Sequence, residues 1–268
     1  MQIIINERSV EVAAQTTLFA LRDAHKPQAD LLIVNGFPTT VDQPLDDGDK
    51  VALIQRGEVP AAEEMEALLM ARHTPGVHEK IRKGTVGIAG CGGLGSAVAV
   101  ALARVGVGRL LLADFDLVEP SNLNRQQYFV DQIGLAKVDA LKANLVRINP
   151  FVKVATYHGR LDRDNIPQIF AMVDLLVEAF DGADQKALLV ESWRRSSPDK
   201  PLVDASGMAG FGPANTIVTR RAGHNFWMVG DGASGAGPGQ GLMAPRVGVA
   251  AHHQANAALR LLLGEEPE

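Results

Sequence analysis

The spacing of apolar residues changes character near residue 60. Before it, short apolar runs are separated by turn residues. Gln2–Asn6 and Ser9–Val12 read as strands flanking Glu7-Arg8 as a hairpin. Leu18, Leu21 and Ala24 follow at helical spacing, with Thr16 placed to cap that helix. Leu31–Val34 is a strand that ends on the turn signal Asn35-Gly36, Asp46–Asp49 is a second turn, and Lys50–Gln55 a last strand. The predicted order is strand, strand, helix, strand, strand.

Ala61–Arg72 contains neither Gly nor Pro and reads as a linking helix. Met65, Leu68 and Leu69 share a face, and Glu63, Glu64 and Glu66 suit a helix start. His73–Gly76 breaks it. From about Lys83 strands and helices alternate. Strands are expected at Thr85–Gly90, Arg109–Asp114, Val152–Tyr157, Asp174–Phe180 and Pro201–Ala205. Helices are expected at Gly95–Val105, Gly134–Ile148, Asn165–Ala171 and Ala183–Arg195. Strands that are apolar nearly throughout, each followed by a helix, imply a parallel sheet covered on both faces. Asn215–Arg221 and Phe226–Val229 read as later, antiparallel strands, and Pro245–Leu263 as a closing helix. The expected fold class is therefore α/β, a Rossmann-like mostly parallel sheet behind a small N-terminal domain. The boundaries fall at 1–58, 59–82 as a helical linker, and 83–268.

Within the first 55 or so residues, the opening MQI, the VNG turn and the run DGDKVALIQ resemble the small ubiquitin-like β-grasp sulfur carriers of the ThiS type. The resemblance implies a β-grasp fold. Such carriers end in a free Gly-Gly, whose terminal carboxylate is the reactive group. Here the strand runs on through Gln55-Arg56-Gly57-Glu58, so the domain looks like a carrier but has no carboxylate to activate.

Composition removes several classes of function. With 268 residues and 46% hydrophobic content the chain has material for one medium and one small core. No apolar run approaches the ~20 residues of a membrane span, and the start lacks signal-peptide features, so a soluble cytoplasmic protein is expected. One cysteine makes neither an internal disulfide nor a Cys-rich zinc site. A net charge of −5 disfavours a general nucleic-acid binder.

The chemistry concentrates after the first strand of the larger domain. Gly90, Gly92, Gly93 and Gly95 belong to a G-x-G-x-x-G turn between strand and helix, where backbone can approach a nucleotide at a helix N-terminus. Asp114 ends the next strand, where an acid can hold a ribose hydroxyl. These features suit NAD and ATP equally. The polar stretch 114–127 carries Arg125, and Lys137 follows. Displacement at an α-phosphate builds charge on departing pyrophosphate, and Arg, Lys and Mg²⁺ stabilise that charge. Asp181, after the strand DLLVEAF, is the candidate to hold Mg²⁺.

GCGGLGS (90–96), GVGRLLLADFDLVEPSNLNRQQ (106–127), Gly134–Lys137 and EAFDGADQK (178–186) together resemble the ThiF/MoeB/HesA family of ubiquitin-activating-enzyme-like adenylyltransferases. ASGMAGFG (205–212) and GLMAPRVGVAAHHQAN (241–256) are similar to its thiamine-biosynthesis branch. The resemblance implies that ATP and the C-terminal glycine of a separate ubiquitin-like carrier ending in Gly-Gly give carrier-adenylate and pyrophosphate. It implies that Asp114 holds the ribose, that Asn122, Arg125 and Lys137 contact phosphates, and that Asp181 positions Mg²⁺ with help from Asp116. It implies a homodimer in which Arg72 reaches the neighbouring subunit's ATP site. Relatives with paired CxxC motifs bind zinc; this chain has none, so no zinc is expected. Cys91 lies in the glycine turn and reads as packing, so sulfur must come from another protein. A MoaD-like carrier, a tRNA substrate, an NAD(P)-dependent oxidoreductase and a regulatory binding protein are the alternatives. Gly230–Gly241 is expected to be either a passive connector or a loop that closes over the carrier tail. His252-His253 do not suit a metal site, His73 and His78 have no evident partners, and Trp193 and Trp227 read as packing.

Overall fold

A computed structural model describes all residues except Glu7 and Pro75, and the side chains of all of those except Ala62 and Glu63. Parts of the expected hairpin turn at Glu7-Arg8, of the break at His73–Gly76 and of the acidic helix start at Glu63 thus lie outside the described residues. The chain divides into two compact units, Met1–Glu79 and Lys80–Glu268.

The first unit contains β1 (Gln2–Ile5), β2 (Arg8–Glu11), α1 (Leu18–His25), β3 (Leu31–Val34), β4 (Phe37–Thr39), β5 (Lys50–Ile54) and α2 (Ala62–Met70). Its sheet has the order β2-β1-β5-β3-β4, with β1 and β5 parallel at its centre. One strand more is present than the pattern predicted: β4 is three residues long, exposed, and contains Pro38, so no apolar alternation marks it. The cap of α1 is Thr17 rather than Thr16; the Thr17 hydroxyl accepts from Ala20 N at 3.3 Å, whereas Thr16 bonds back to Ala13 O. Alternate residues Ile3, Ile5, Leu32, Val34, Val51 and Leu53 face Leu18 and Leu21 in one core. On the other sheet face Ile33 and Ala52 are also buried. There Ile4 and Ala52 share a small cavity, about 50 Å³, with Ala67 and Met70 of α2. After β5 the chain is held back on its own domain. Arg56 N donates to Asp30 at 2.9 Å, and Glu58 pairs with Lys26 at 2.7 Å.

The short helix α3 (Val77–Ile81) holds the boundary. The second unit continues with β6 (Thr85–Ala89), α4 (Gly93–Arg104), β7 (Arg109–Asp114), α5 (Lys137–Ile148), β8 (Lys153–His158), α6 (Ile166–Ile169), β9 (Leu175–Glu178), α7 (Ala183–Ser196), β10 (Leu202–Ala205), β11 (Val218–Gly223), β12 (Phe226–Gly230) and α8 (Ala244–Leu263). Its sheet has the order β11-β12-β10-β9-β6-β7-β8, and only β11 runs antiparallel. The expectation of two antiparallel late strands holds for β11. It is corrected for β12, which joins β10 in parallel register, Leu202 opposite Phe226. Helix α5 starts at Lys137, three residues later than expected. Gly134 has φ +90°, and Leu135 is spent on a β-type contact, its carbonyl accepting from Val118 N. Trp193 and Trp227 are buried, as packing residues are.

Strand order places the site. From β6 the chain moves outward to β7 and β8, then returns to the other side of β6 as β9 and β10. Neighbouring connections diverge between β6 and β9, and a crevice opens there at the carboxyl ends of the strands. Helix α4 begins directly over it because Gly95 sits almost in contact with the turn: a Cβ at Gly95 would stand 1.8 Å from Gly90 O. Gly90 itself has φ +96°. Gly95→Ala is expected to cost about 1–3 kcal/mol in stability, because the obstacle is backbone that cannot rotate away. Urea unfolding of the variant checks this.

Candidate active site

At the crevice lies a cavity of about 450 Å³. Its wall includes Gly90, Gly92 and Gly93 from the turn, Asp114 and Asp116 after β7, Arg125, Lys137, and Asp181 after β9. The turn puts the free N–H groups of the first turn of α4 toward the cavity, a favourable seat for phosphate.

Asp114 is largely buried. Its two oxygens accept from Cys91 N at 2.6 Å and Asp116 N at 2.8 Å. Burial pushes its carboxyl above the ordinary aspartate value, and those two N–H groups and Lys137 pull partly back. Lys137, the first residue of α5, is 6% exposed and donates to Asp116 Oδ2 at 2.7 Å. Asp116 therefore aims the lysine while remaining half in solvent. Arg125 is half-buried; its Nη1 donates to Ser121 O and Asn124 Oδ1, while its Nε is buried with no hydrogen-bond partner. Asp181 is exposed on the cavity wall.

Asn122 is not on that wall. It is buried, and its Oδ1 accepts from Glu119 N at 3.0 Å, which spends the side chain on a single 3-10 turn ahead of Arg125. Gly95 also stands back from the cavity, inside α4. Arg72 belongs to the first unit, exposed in the turn after α2. Cys91 is fully buried; its O accepts from Tyr128 OH, and burial pushes the thiol well above its ordinary value, so no reactive thiolate forms there.

Several wall residues escaped the sequence reading. Gln126 is 7% exposed with an unpartnered Oε1. It adjoins Arg125 in the polar run, but nothing in the pattern separates it from the solvated Gln127. Phe115 and Arg160 also line the cavity, the guanidinium 5.6 Å from the ring centroid. Lys186 was within the quoted stretch 178–186 without a role.

The glycine-rich segment 230–241 is tied down. Ser234 O accepts from Met208 N and Ala209 N, and Gly241 O from Gly210 N. Asp231 accepts from Ser234 through both hydroxyl and N–H, from Ala233 N, and from Arg246 at 2.6 Å. Those bonds hold the Asp231 carboxyl well below the usual carboxylate range. Ser234, Gly235 and Ala236 line the cavity, with Met208 and Ala209.

The comparisons with known proteins agree with this architecture. A family model described as "ThiF family" matches residues 66–268. The chain belongs to the ThiF family. Its first unit matches a ThiS-like ubiquitin domain over residues 1–57. As a ThiF-family chain it is similar to ubiquitin-like modifier-activating enzyme 5 of Caenorhabditis elegans, with 43% identity over 93 residues, 34% of this chain and 22% of that protein. The adenylyltransferase and sulfurtransferase MOCS3 of Xenopus laevis is 36% identical over 130 residues, 48% of this chain and 28% of that protein. The chain spans less than a third of the length of these curated relatives. In fold it is similar to the tRNA N6-threonylcarbamoyladenosine dehydratase TcdA of E. coli solved with AMP, at a TM-score of 0.68 and 21% identity over 78% of this chain and 98% of that one. The ATP complex of TcdA gives a TM-score of 0.68 at 22% identity, over 77% and 98% of the two chains.

Two substitutions separate the direct from the aiming charge. For ATP seated in this cavity, Lys137→Met should weaken binding about 10–100-fold by calorimetry, since a cation of the cavity wall is lost. Asp116→Asn should weaken it less, about 3–10-fold, because the lysine stays and only its orientation relaxes.

Proposed function

We propose that this protein adenylates the C-terminal glycine carboxylate of a separate ubiquitin-like carrier with ATP, releasing pyrophosphate, and that the carrier is of the ThiS sulfur-carrier type used in making the thiamine thiazole. The observation that carries the reading is one cavity at the strand ends that gathers the glycine turn, Asp114, Arg125, Lys137 and Asp181. Family membership and a MOCS3-like stretch support adenylyl transfer. The ThiS-like first unit and the similarity to ubiquitin-like modifier-activating enzyme 5 support a carrier of ubiquitin type.

In this reading Asp114 accepts the ribose hydroxyls. The base extends toward β8, along the wall that Phe115 and Arg160 form together, and the phosphates run back over the glycine turn toward Arg125 and Lys137. The incoming glycine carboxylate has a pKa near 3.5 and is ionised at neutral pH, so no general base is needed. A carboxylate oxygen bonds to the α-phosphorus, the bond from that phosphorus to the bridging oxygen breaks, and pyrophosphate departs with the electron pair. Arg125, with its Nε unpartnered, and Lys137 stabilise the charge that accumulates on the leaving group. Catalysis is positioning and charge compensation.

Among the described residues no cluster of three metal-ligating side chains exists. That suits Mg²⁺, which keeps its waters and binds through phosphates and one or two carboxylates; Asp181 is the carboxylate that fits. When bound, Mg²⁺ draws charge from the triphosphate. Arg72 would serve a neighbouring subunit's nucleotide in a homodimer. The sulfur donor is a separate protein, because the chain's one cysteine is sealed in the core. No helix among the described residues is long and apolar enough to cross a membrane.

Purified protein, ATP, Mg²⁺, labelled pyrophosphate and candidate carriers ending in Gly-Gly test the proposal, with mass detection of the carrier–AMP adduct. Exchange should depend on the carrier. Arg125→Ala and Asp181→Ala should each lower it at least about 100-fold with unchanged melting temperature. Normal exchange in both variants, or tight NAD binding with no ATP binding, sinks the reading.

A further inference from the structure

Beneath the cavity, at the ends of β9 and β10, lie two buried carboxyls that the reaction above does not use. Glu178 is 0% exposed and Asp204 is 6% exposed. One cation serves both. Lys186, in the first turn of α7, donates to Glu178 Oε2 and to Ala205 O at 2.9 Å, and its Nζ stands 3.5 Å from Asp204 Oδ1. Two of the three ammonium N–H groups are hydrogen-bonded, and Asp204 is a further ion-pair neighbour. Lys186 borders the cavity, but its charge is answered inside the protein by two carboxyls.

What the cluster grips is backbone on two sides of the site. Glu178 Oε1 accepts from Phe180 N at 2.6 Å, at the start of the turn that presents Asp181. Asp204 Oδ1 accepts from Ala205 N at 2.6 Å, and the Lys186 bond to Ala205 O holds the same residue through its next peptide group. Ala205, Ser206 and Gly207 continue from there along the cavity wall. Gln254 of α8, itself fully buried, donates to Glu178 O at 2.8 Å and so backs the strand end from behind.

Charge counting sets the protonation. The charged groups that meet here are Glu178 from β9, Asp204 from β10 and Lys186 from α7; α8 supplies neutral Gln254, and β6 supplies Ala89 opposite Glu178. Two buried carboxylates against one ammonium would leave an uncompensated negative charge in a low-dielectric site. A single proton held between the carboxyls removes it. In keeping with this, burial and the adjacent Asp204 push the Glu178 carboxyl well above its ordinary value, against the pull of Lys186.

We propose that Glu178, Asp204 and Lys186 are positioning residues, a neutral cluster sharing one proton, that lock the Asp181 turn to the Ala205–Gly207 wall. The proposal rests on the adenylation reading for the consequence in rate, on burial and the count of charges around Lys186 for the shared proton, and on hydrogen-bond geometry for the lock.

Infrared spectroscopy at neutral pH tests the proton without nucleotide or carrier. The wild-type protein should have the carbonyl stretch of a protonated carboxylic acid, and difference spectra should show it lost in both Glu178→Gln and Asp204→Asn, since either variant leaves one carboxylate for one ammonium. A band that survives Asp204→Asn, or no difference band at all, overturns the sharing. Should Asp204→Asn fail to fold, the pH dependence of melting decides. A carboxyl whose folded pKa is raised binds its proton more tightly in the native state, so wild-type stability falls as pH rises above the usual carboxylate range. The melting temperature of Glu178→Gln relative to wild type should therefore climb as pH rises from the ordinary glutamate pKa of about 4.3 toward neutrality; a constant gap overturns the proposal.

Hydrogen exchange tests the lock. Lys186→Met should speed exchange at the amides of Phe180 and Ala205, and Lys186→Arg should recover protection; unchanged protection in Lys186→Met overturns it. In the pyrophosphate assay Lys186→Met should lower kcat at least about tenfold while KM for ATP moves less than about threefold, the signature of groups misplaced in the transition state. Wild-type protein without carrier-dependent exchange would remove the adenylation reading and leave the infrared and hydrogen-exchange results to judge the cluster.

Discussion

A chain that turns at Gly90 and starts a helix at Gly93 must bring α4 hard against the end of β6. The close approach of Gly95 to the Gly90 carbonyl is the constraint behind the whole site. It sets the mouth of α4, with its unpaired N–H groups, over the crevice that strand order opens between β6 and β9. It also seats Cys91 so that its N–H meets the Asp114 carboxylate, which joins the glycine turn to the end of the neighbouring strand. Cations could not be arranged usefully around a phosphate whose seat was not already fixed.

The charges are arranged in pairs of unequal exposure. Lys137 is buried and its partner Asp116 is half in solvent, so the lysine is aimed without being fully discharged. Lys186 is the opposite case. Its acceptors include a carboxyl with no exposure, and its charge is consumed inside the protein. Two lysines on one cavity wall thus have different fates, and the difference follows from what stands behind each of them rather than from the side chain itself.

Much of this was legible in the sequence because the larger unit follows period and punctuation closely. The strand Arg109–Asp114 has the predicted bounds, and the glycine turn, Asp114, Arg125, Lys137 and Asp181 come from separate parts of the chain to one cavity. What was not legible depends on distance in space. Lys186 is eight residues from Glu178 and eighteen from Asp204, and no local pattern says that the three meet. Asn122 looked like part of a polar run facing a ligand; the fold turns it inward to cap a 3-10 turn. β4 escaped because an exposed three-residue strand carrying a proline has no hydrophobic signature. β12 was assigned the wrong direction because an apolar run carries no arrow.

The pinning of the glycine-rich rim by Asp231 and Arg246 has a consequence for how an extended polypeptide would enter. A Cβ at Gly235, Gly237, Gly239 or Gly241 would meet nothing within 4 Å, so the small residues leave room, while the bonds from Met208, Ala209 and Gly210 hold the rim backbone in place. A guest would therefore pay for its own loss of freedom and not for the host's.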